Sequence, residues 1–238
     1  MISVIIPSRN ELYLNKTIED IKVKFVSDYE IIVILDGADS ERIEGVKYIY
    51  NKEPRGMRTA INQGVVQSGG EYLMKLDAHC MVDQGIDVKL KVVHQESWVQ
   101  SPRRKRLDPK KWVLTDTDKP DIDYMFIGKS FKGHKDNDKN RDLELKKKSI
   151  DDTDVFQGSC YFMSKNYFNK LGLLDDVNFG KLGSEAIEIA LKVKHDGGRV
   201  MVNKTTWYAH ARIGRRYRGS IEEMNKSREY VKILAERL

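Results

Sequence analysis

The stretch "YEIIVILDG", residues 29–37, runs five apolar side chains together, four of them β-branched. A strand with no polar alternation is covered on both faces. Such a strand belongs inside a sheet with helices on either side. The segments around it agree. "ISVIIPS" is a β-branched run closed by Pro7 and Ser8, and "LNKTIEDIKVKF" spaces Ile18, Ile21 and Val23 as a helix does. "VKYIYN" is a further strand. "GMRTAINQGVVQSGG" reads as a helix stopped by Gly69 and Gly70, and "EYLMKLDAH" as the next strand. This β-α-β-β-α-β order predicts an α/β fold with a mostly parallel sheet. Ligands of such sheets sit beyond the carboxyl ends of the strands, where Asp36 and Asp77 both fall.

The regular pattern fades from Ser101 to Lys148. "SPRRKRLDPKKW" and "KSFKGHKDNDKNRDLELKKKS" are charged and lack clear periodicity, so an insertion or long mobile loop is expected. Periodicity returns in "DVFQGSCYFMSKNYFNKLGLLDD", a strand and short helix, and in "GSEAIEIALKVKHDGG", a helix. "RVMVNKTTWYAHARIGRRYRG" reads as a strand entering a basic loop. "SIEEMNKSREYVKILAERL" reads as a last helix, capped by Ser220 with Glu223.

The 238 residues suffice for one domain with a proper core, and no stretch approaches the roughly 20 apolar residues of a membrane span. The first residues have no basic leader pattern, and neither secretion signal nor anchor is expected. Two cysteines, Cys80 and Cys160, make no disulfide framework, which points to a reducing, cytoplasmic setting. The formal net charge of +6 permits a polyanionic partner without requiring one.

"LDAHC" carries the chemistry. Asp77 and His79 leave an extended segment on one side, because strand side chains repeat every two residues. A carboxylate and an imidazole so placed are two adjacent ligands for a divalent metal such as manganese. On this pattern alone, a turn-capping aspartate beside an exposed histidine is the more economical reading.

Together, "SVIIPSRNE", "EIIVILDG", "GMRTAINQGVVQSGGEYLMKLDAHC" and "GLLDDVNFGKLGSEAIEIALKVKHDGG" resemble, in order and spacing, the core of GT-A-fold glycosyltransferases. The resemblance is to family-2 glycosyltransferases and to the polypeptide N-acetylgalactosaminyltransferases, which carry Asp-x-His where most relatives carry Asp-x-Asp. It covers residues 1 to about 100 and 155 to about 218. It implies a GT-A-like, Rossmann-type mixed sheet in a single domain. Residues 1–100 would be the nucleotide-sugar-binding half, 101–150 a basic insertion or flexible loop, 151–218 the acceptor-side half and 219–238 a C-terminal helix.

The resemblance also implies roles. Asp77, His79 and His210 would hold Mn2+ (or Mg2+), which in turn holds the diphosphate of a nucleotide-sugar donor, a UDP-sugar first. Asp36 would contact the nucleoside. Alone, it reads equally as a turn aspartate before Gly37. Pro7, Arg9 and Glu11 end the first strand and would line the nucleoside pocket. Arg58, four residues before Asn62 on one helix face, would flank the nucleotide. A solvated helix face accounts for it nearly as well. Of Arg212, Arg215, Arg216 and Arg218, one or two would clamp phosphate oxygens, the alternative being a solvated basic loop. Inverting relatives carry Glu-Asp where this chain has Glu185-Ala186. Either Glu185 is the catalytic base, or the enzyme retains configuration and needs none. Glu188, three residues on, reads as a structural or surface residue.

For the acceptor, residues 101–148 hold 15 Lys or Arg against nine Asp or Glu, a surplus of six. A basic flap beside the site suits a polyanion, and hydroxymethylated bases of phage-type DNA are one candidate by analogy. A protein or cell-surface glycan hydroxyl is the alternative. A non-catalytic nucleic-acid-binding module is the competing class, set against the joint presence of Asp36, Asp77, His79 and His210.

Overall fold

The computed structural model describes residues 1–180, 183–213 and 221–237. The first half alternates as its pattern requires: β1 (Ile2–Ser8), α1 (Leu14–Lys24), β2 (Tyr29–Asp36), β3 (Val46–Asn51), α2 (Met57–Gln67), β4 (Tyr72–Leu76), β5 (Cys80–Val82) and α3 (Ile86–Lys91). The middle holds β6 (Trp98–Asp108), β7 (Val113–Leu114), β8 (Met125–Ile127), β9 (Gly133–Lys135), α4 (Asn137–Arg141) and α5 (Leu143–Lys147). The chain continues with β10 (Ile150–Asp152), β11 (Cys160–Ser164), α6 (Lys165–Lys170), α7 (Glu185–His195), β12 (Arg199–Ala211) and α8 (Ile221–Arg237). The Ser220 cap read from the sequence lies outside the described residues.

The main sheet has the order β10-β12-β6-β11-β4-β1-β2-β3, with β5 on β12 and β7 on β6. β4, β1, β2 and β3 run parallel, and β11 enters antiparallel between β4 and β6. Both faces are covered. Ile31, Val33 and Leu35 pack with α1 and α3 residues such as Ile18 and Leu90, while Ile32 and Ile34 pack on the α2, α6 and α7 side. The doubly apolar β2 sequence is thus used on both faces, at about 1.5–3 kcal/mol per buried aliphatic side chain.

The expectation of an irregular flap from Ser101 is corrected. "SPRRKRLD" lies on β6, which runs between β12 and β11. Its charges hid the strand because they are answered by partners distant in sequence. Arg103 forks onto Asp123, with Nη2 2.7 Å from Oδ2, and Arg106 donates to the carbonyls of Lys119 and Pro120. Farther on, Asp136 and Asp142 accept from the first backbone N–H groups of α4 and α5, an N-cap signal inside an otherwise charged run.

Two donor-site expectations also give way to structural roles. Asp36 is fully buried. Its carboxylate accepts from the backbone N–H of Arg55 and Gly56, 2.8 Å each, and from Asn51 Nδ2 at 3.0 Å. It holds the turn into α2 and is not among the residues that line the cleft at Asp77. Arg58 is 1% exposed. Its guanidinium pairs with Glu188 and donates to the Gly183 carbonyl at 2.5 Å, and it stacks 4.1 Å from the Phe179 ring centre. One helical turn on, Asn62 exchanges two hydrogen bonds with the Leu174 backbone. This face of α2 clasps the segment leading into α7.

Glu188 also accepts from Lys192 Nζ at 2.7 Å. Removing one partner of a buried pair strands the other charge, at about 3–5 kcal/mol. Arg58→Ala is therefore expected to lose about that much in chemical denaturation. Arg58→Met with Glu188→Leu is expected to lose less, since neither charge of the pair stays buried. An unchanged midpoint for Arg58→Ala would overturn the clasp.

Candidate metal and donor site

Beyond the carboxyl ends of β1 and β4 opens a cleft of about 410 Å³. Its floor is the Asp77-Ala78-His79 turn between β4 and β5. The turn is pinned at both ends: the Asp77 N–H bonds the Ser159 carbonyl at 2.9 Å, and the His79 carbonyl accepts from the Ala211 N–H at 3.1 Å. β12 pairs antiparallel with β5 in a register that sets His210 opposite Cys80. That register brings His210 beside His79 from 131 residues away.

The three side chains converge. His210 Nε2 lies 3.0 Å from His79 Nε2 and 3.2 Å from Asp77 Oδ2, and one ligand atom from each residue falls within a 4.8 Å cluster. A cation with bonds of about 2.1 Å at right angles needs adjacent ligand atoms about 3.0 Å apart. The spacing fits, and the mixed oxygen and nitrogen set suits manganese. Glu11 Oε2 lies 3.2 Å from His79 Nδ1. The pair is not aligned as a hydrogen bond, and both atoms are buried without another partner. The contact is electrostatic. It favours the ring proton on Nδ1 and leaves the Nε2 lone pair facing His210.

Lys75, two residues before Asp77 on the same strand face, is buried beneath it. Its ammonium contacts Asp77 Oδ1 and donates to the Gly158 carbonyl at 2.6 Å. Burial pushes Lys75 down, but Asp77 and then Glu185 outweigh it and hold it above its ordinary value. Burial would likewise raise Asp77; Lys75 and the His210 contact prevail and keep it well below the usual carboxylate range. His210 is shifted down, chiefly by burial against the opposing pull of Asp77, which keeps the imidazole neutral and able to act as a ligand.

Of the residues read from the sequence, Pro7, Glu11, Glu185 and Arg212 share this cleft with the Asp77, His79 and His210 cluster. Arg9 is half-buried past β1 and does not line it. Arg215, Arg216 and Arg218 lie outside the described residues. Glu185 opens α7 over Gly158, where an added Cβ would sit 2.5 Å from Oε1. Ala186 is packed in the core and Glu188 is taken by Arg58, so Glu185 is the α7 carboxylate that faces the cleft. Sequence reading missed Lys75 and Arg104, both at the cluster. Lys75 carried a signal: residues 75, 77 and 79 alternate onto one side, and a lysine within "LMKLD" needs a counter-charge.

His79→Ala and His210→Ala are expected to abolish Mn2+ binding in titration calorimetry with little change in denaturation midpoint. Asp77→Ala is expected to lose both, because Lys75 is left buried and unpaired. A variant of Asp77 as stable as wild type would overturn the role of the ion pair.

Residues 3–90 match the family model for glycosyl transferase family 2. A curated relative, N-acetylgalactosaminyltransferase 7 of Drosophila melanogaster, is 25% identical over 210 residues, 80% of this chain and 34% of the relative. Among solved structures, GalNAc-T7 with UDP, GalNAc and Mn2+ superposes with a TM-score of 0.82 at 19% identity, over 98% of this chain and 48% of that one. The mannosyltransferase PcManGT of Pyrobaculum calidifontis, with GDP-Man and Mn2+, gives 0.61 at 15%, over 90% and 57%. S. aureus TarS 1–349 with UDP-GlcNAc gives 0.64 at 11%, over 98% and 66%. The chain thus spans about a third of the curated relative and about half of the GalNAc-T7 chain. The chain has the GT-A glycosyltransferase fold, and its segment 3–90 is similar to family-2 glycosyl transferases.

Proposed function

We propose that the protein is a metal-dependent glycosyltransferase that moves a sugar from a nucleotide donor, a UDP-sugar first, to a hydroxyl acceptor. The observation that carries this reading is the Asp77, His79 and His210 cluster on the floor of the cleft. The solved relatives complexed with UDP and Mn2+, or with GDP-Man and Mn2+, support it. A divalent cation there supplies positive charge where the leaving diphosphate gains negative charge. Glu11 orients His79, and Lys75 holds Asp77 ionised. Pro7 lines the cleft and would contact the nucleoside, whereas Arg9 does not line it. Arg212 lines the cleft and would meet phosphate oxygens as a bidentate fork; Arg215, read from the sequence for the same role, lies outside the described residues. The free, buried thiols of Cys80 and Cys160 favour a reducing, cytoplasmic location.

Glu185 faces the acceptor side and is the base if configuration inverts. If it is retained, Glu185 positions the acceptor. Glu185→Gln is expected to lose sugar transfer and keep Mn2+-dependent UDP binding, because the amide has nearly the same shape but takes no proton. The donor reading is tested by hydrolysis of UDP- and GDP-sugars with and without Mn2+, alongside thermal shift with UDP. If no nucleotide raises the melting temperature in Mn2+, the reading fails and a non-catalytic module takes its place.

For the acceptor we favour a polyanion, hydroxymethylated DNA first, on the positive surplus of residues 101–148. A protein or glycan hydroxyl is favoured instead by the similarity to N-acetylgalactosaminyltransferase 7. Arg103 and Arg106 are engaged within the fold, whereas Lys110, Lys111, Lys129 and Lys132 are exposed. Replacing these four lysines by Ala is expected to weaken DNA binding and flatten its salt dependence by up to about four phosphate contacts. Donor hydrolysis is expected to be unchanged. Equal DNA binding by variant and wild type, or no salt dependence, would decide for a protein or glycan acceptor.

A further inference from the structure

Arg104 lies on β6, and its backbone N–H and carbonyl are both bonded to Ile122, at 3.1 and 3.0 Å. The main chain is therefore fixed, while the side chain lines the cleft. Its Nη2 sits 3.0 Å from His210 Nδ1. Its Nε is buried with no hydrogen-bond partner. A guanidinium beside a cleft containing Glu11, Asp77 and Glu185 is thus held by a neutral ring nitrogen, with one donor left unmet.

Donor counting shows what this contact excludes. Arginine only donates, so His210 Nδ1 must accept, and the single ring proton sits on Nε2. There it donates toward Asp77 Oδ2, 3.2 Å away. A cation on Nε2 needs that lone pair, which moves the ring proton to Nδ1. Two N–H groups would then face each other across 3.0 Å. Arg104 and a cation on His210 Nε2 exclude one another in this geometry.

Resting on the metal reading of the site, we propose that Arg104 is a metal-coupled arm. It holds His210 while no cation is bound, and turns onto the donor diphosphate when His210 takes the cation. Its release on metal binding frees a guanidinium in the cleft, and an anion that comes with the metal can satisfy the orphan Nε as well.

The test uses the whole chain and two probes. Nitrogen-detected NMR of the wild-type His210 ring, with Mg2+ as the diamagnetic cation, is expected to show the proton on Nε2 without metal and on Nδ1 with it. In calorimetry, Arg104→Met is expected to bind Mn2+ alone about tenfold more tightly, since no hydrogen bond must first break. Its Mn2+-dependent affinity for UDP is expected to fall about tenfold, while its affinity for uridine stays the same. Opposite signs for metal and diphosphate are the signature, since simple misfolding weakens both. If wild type binds Mn2+ and His79→Ala does not, yet the ring proton stays on Nε2 or Arg104→Met leaves Mn2+ affinity unchanged, the arm is overturned and the metal site stands. If wild type binds no Mn2+, both are overturned.

Discussion

The ion pair between Lys75 and Asp77 fixes the site. A lysine inside β4 is only tolerable with its charge met, and the nearest group on its own strand face is the carboxylate two residues on. That contact takes Asp77 Oδ1 and directs Oδ2 toward His210. The donor set is thereby held in place by a buried charge, and the carboxylate stays ionised over the working pH range. An aspartate at a strand end without such a partner would be free to cap the turn instead. The same pair makes the site costly to dismantle, because the carboxylate serves the fold and the cluster together.

The second support is the clasp between α2 and α7. Thr59 and Asn62 reach the segment between α6 and α7 through Asp176 and Leu174, and Arg58 reaches α7 itself through Glu188. Glu185 therefore projects from a helix whose first turn is anchored by a buried charge pair. Such a rigid element would suit the role proposed for Glu185. The anchor uses Arg58, which the sequence had offered to the nucleotide.

The alternation of elements through residue 91 was legible because hydrophobic periodicity depends on local sequence. Asp77 and His79 were legible for the same reason, being two residues apart on one strand. His210 came from the resemblance alone; its place beside His79 depends on the pairing of β12 with β5, which no local pattern reveals. β6 was misread because Arg103, Arg104 and Arg106 look like a solvated loop until Asp123, His210 and the carbonyls near 120 are brought to them. The internal contacts of Asp36 and Arg58 were illegible for the converse reason. Both are polar and near the right strand and helix ends, but their partners are backbone amides and a buried glutamate. Sequence gives the charge of a side chain and leaves its counter-charge to the fold.

Charge balance links these observations to the chemistry. Around the cluster stand the cations Lys75, Arg104 and Arg212 and the carboxylates Glu11, Asp77 and Glu185. As formal charges they cancel. A divalent cation alone would leave the cleft positive by two, and a diphosphate alone would leave it strongly negative. Brought in together, metal and diphosphate nearly cancel again, in a site whose walls screen charge far less than water does. Co-binding is therefore favoured over either ligand alone. A cleft built this way holds the ion more weakly alone than with the diphosphate, and Arg104 on His210 is one of the internal cations that balance its carboxylates.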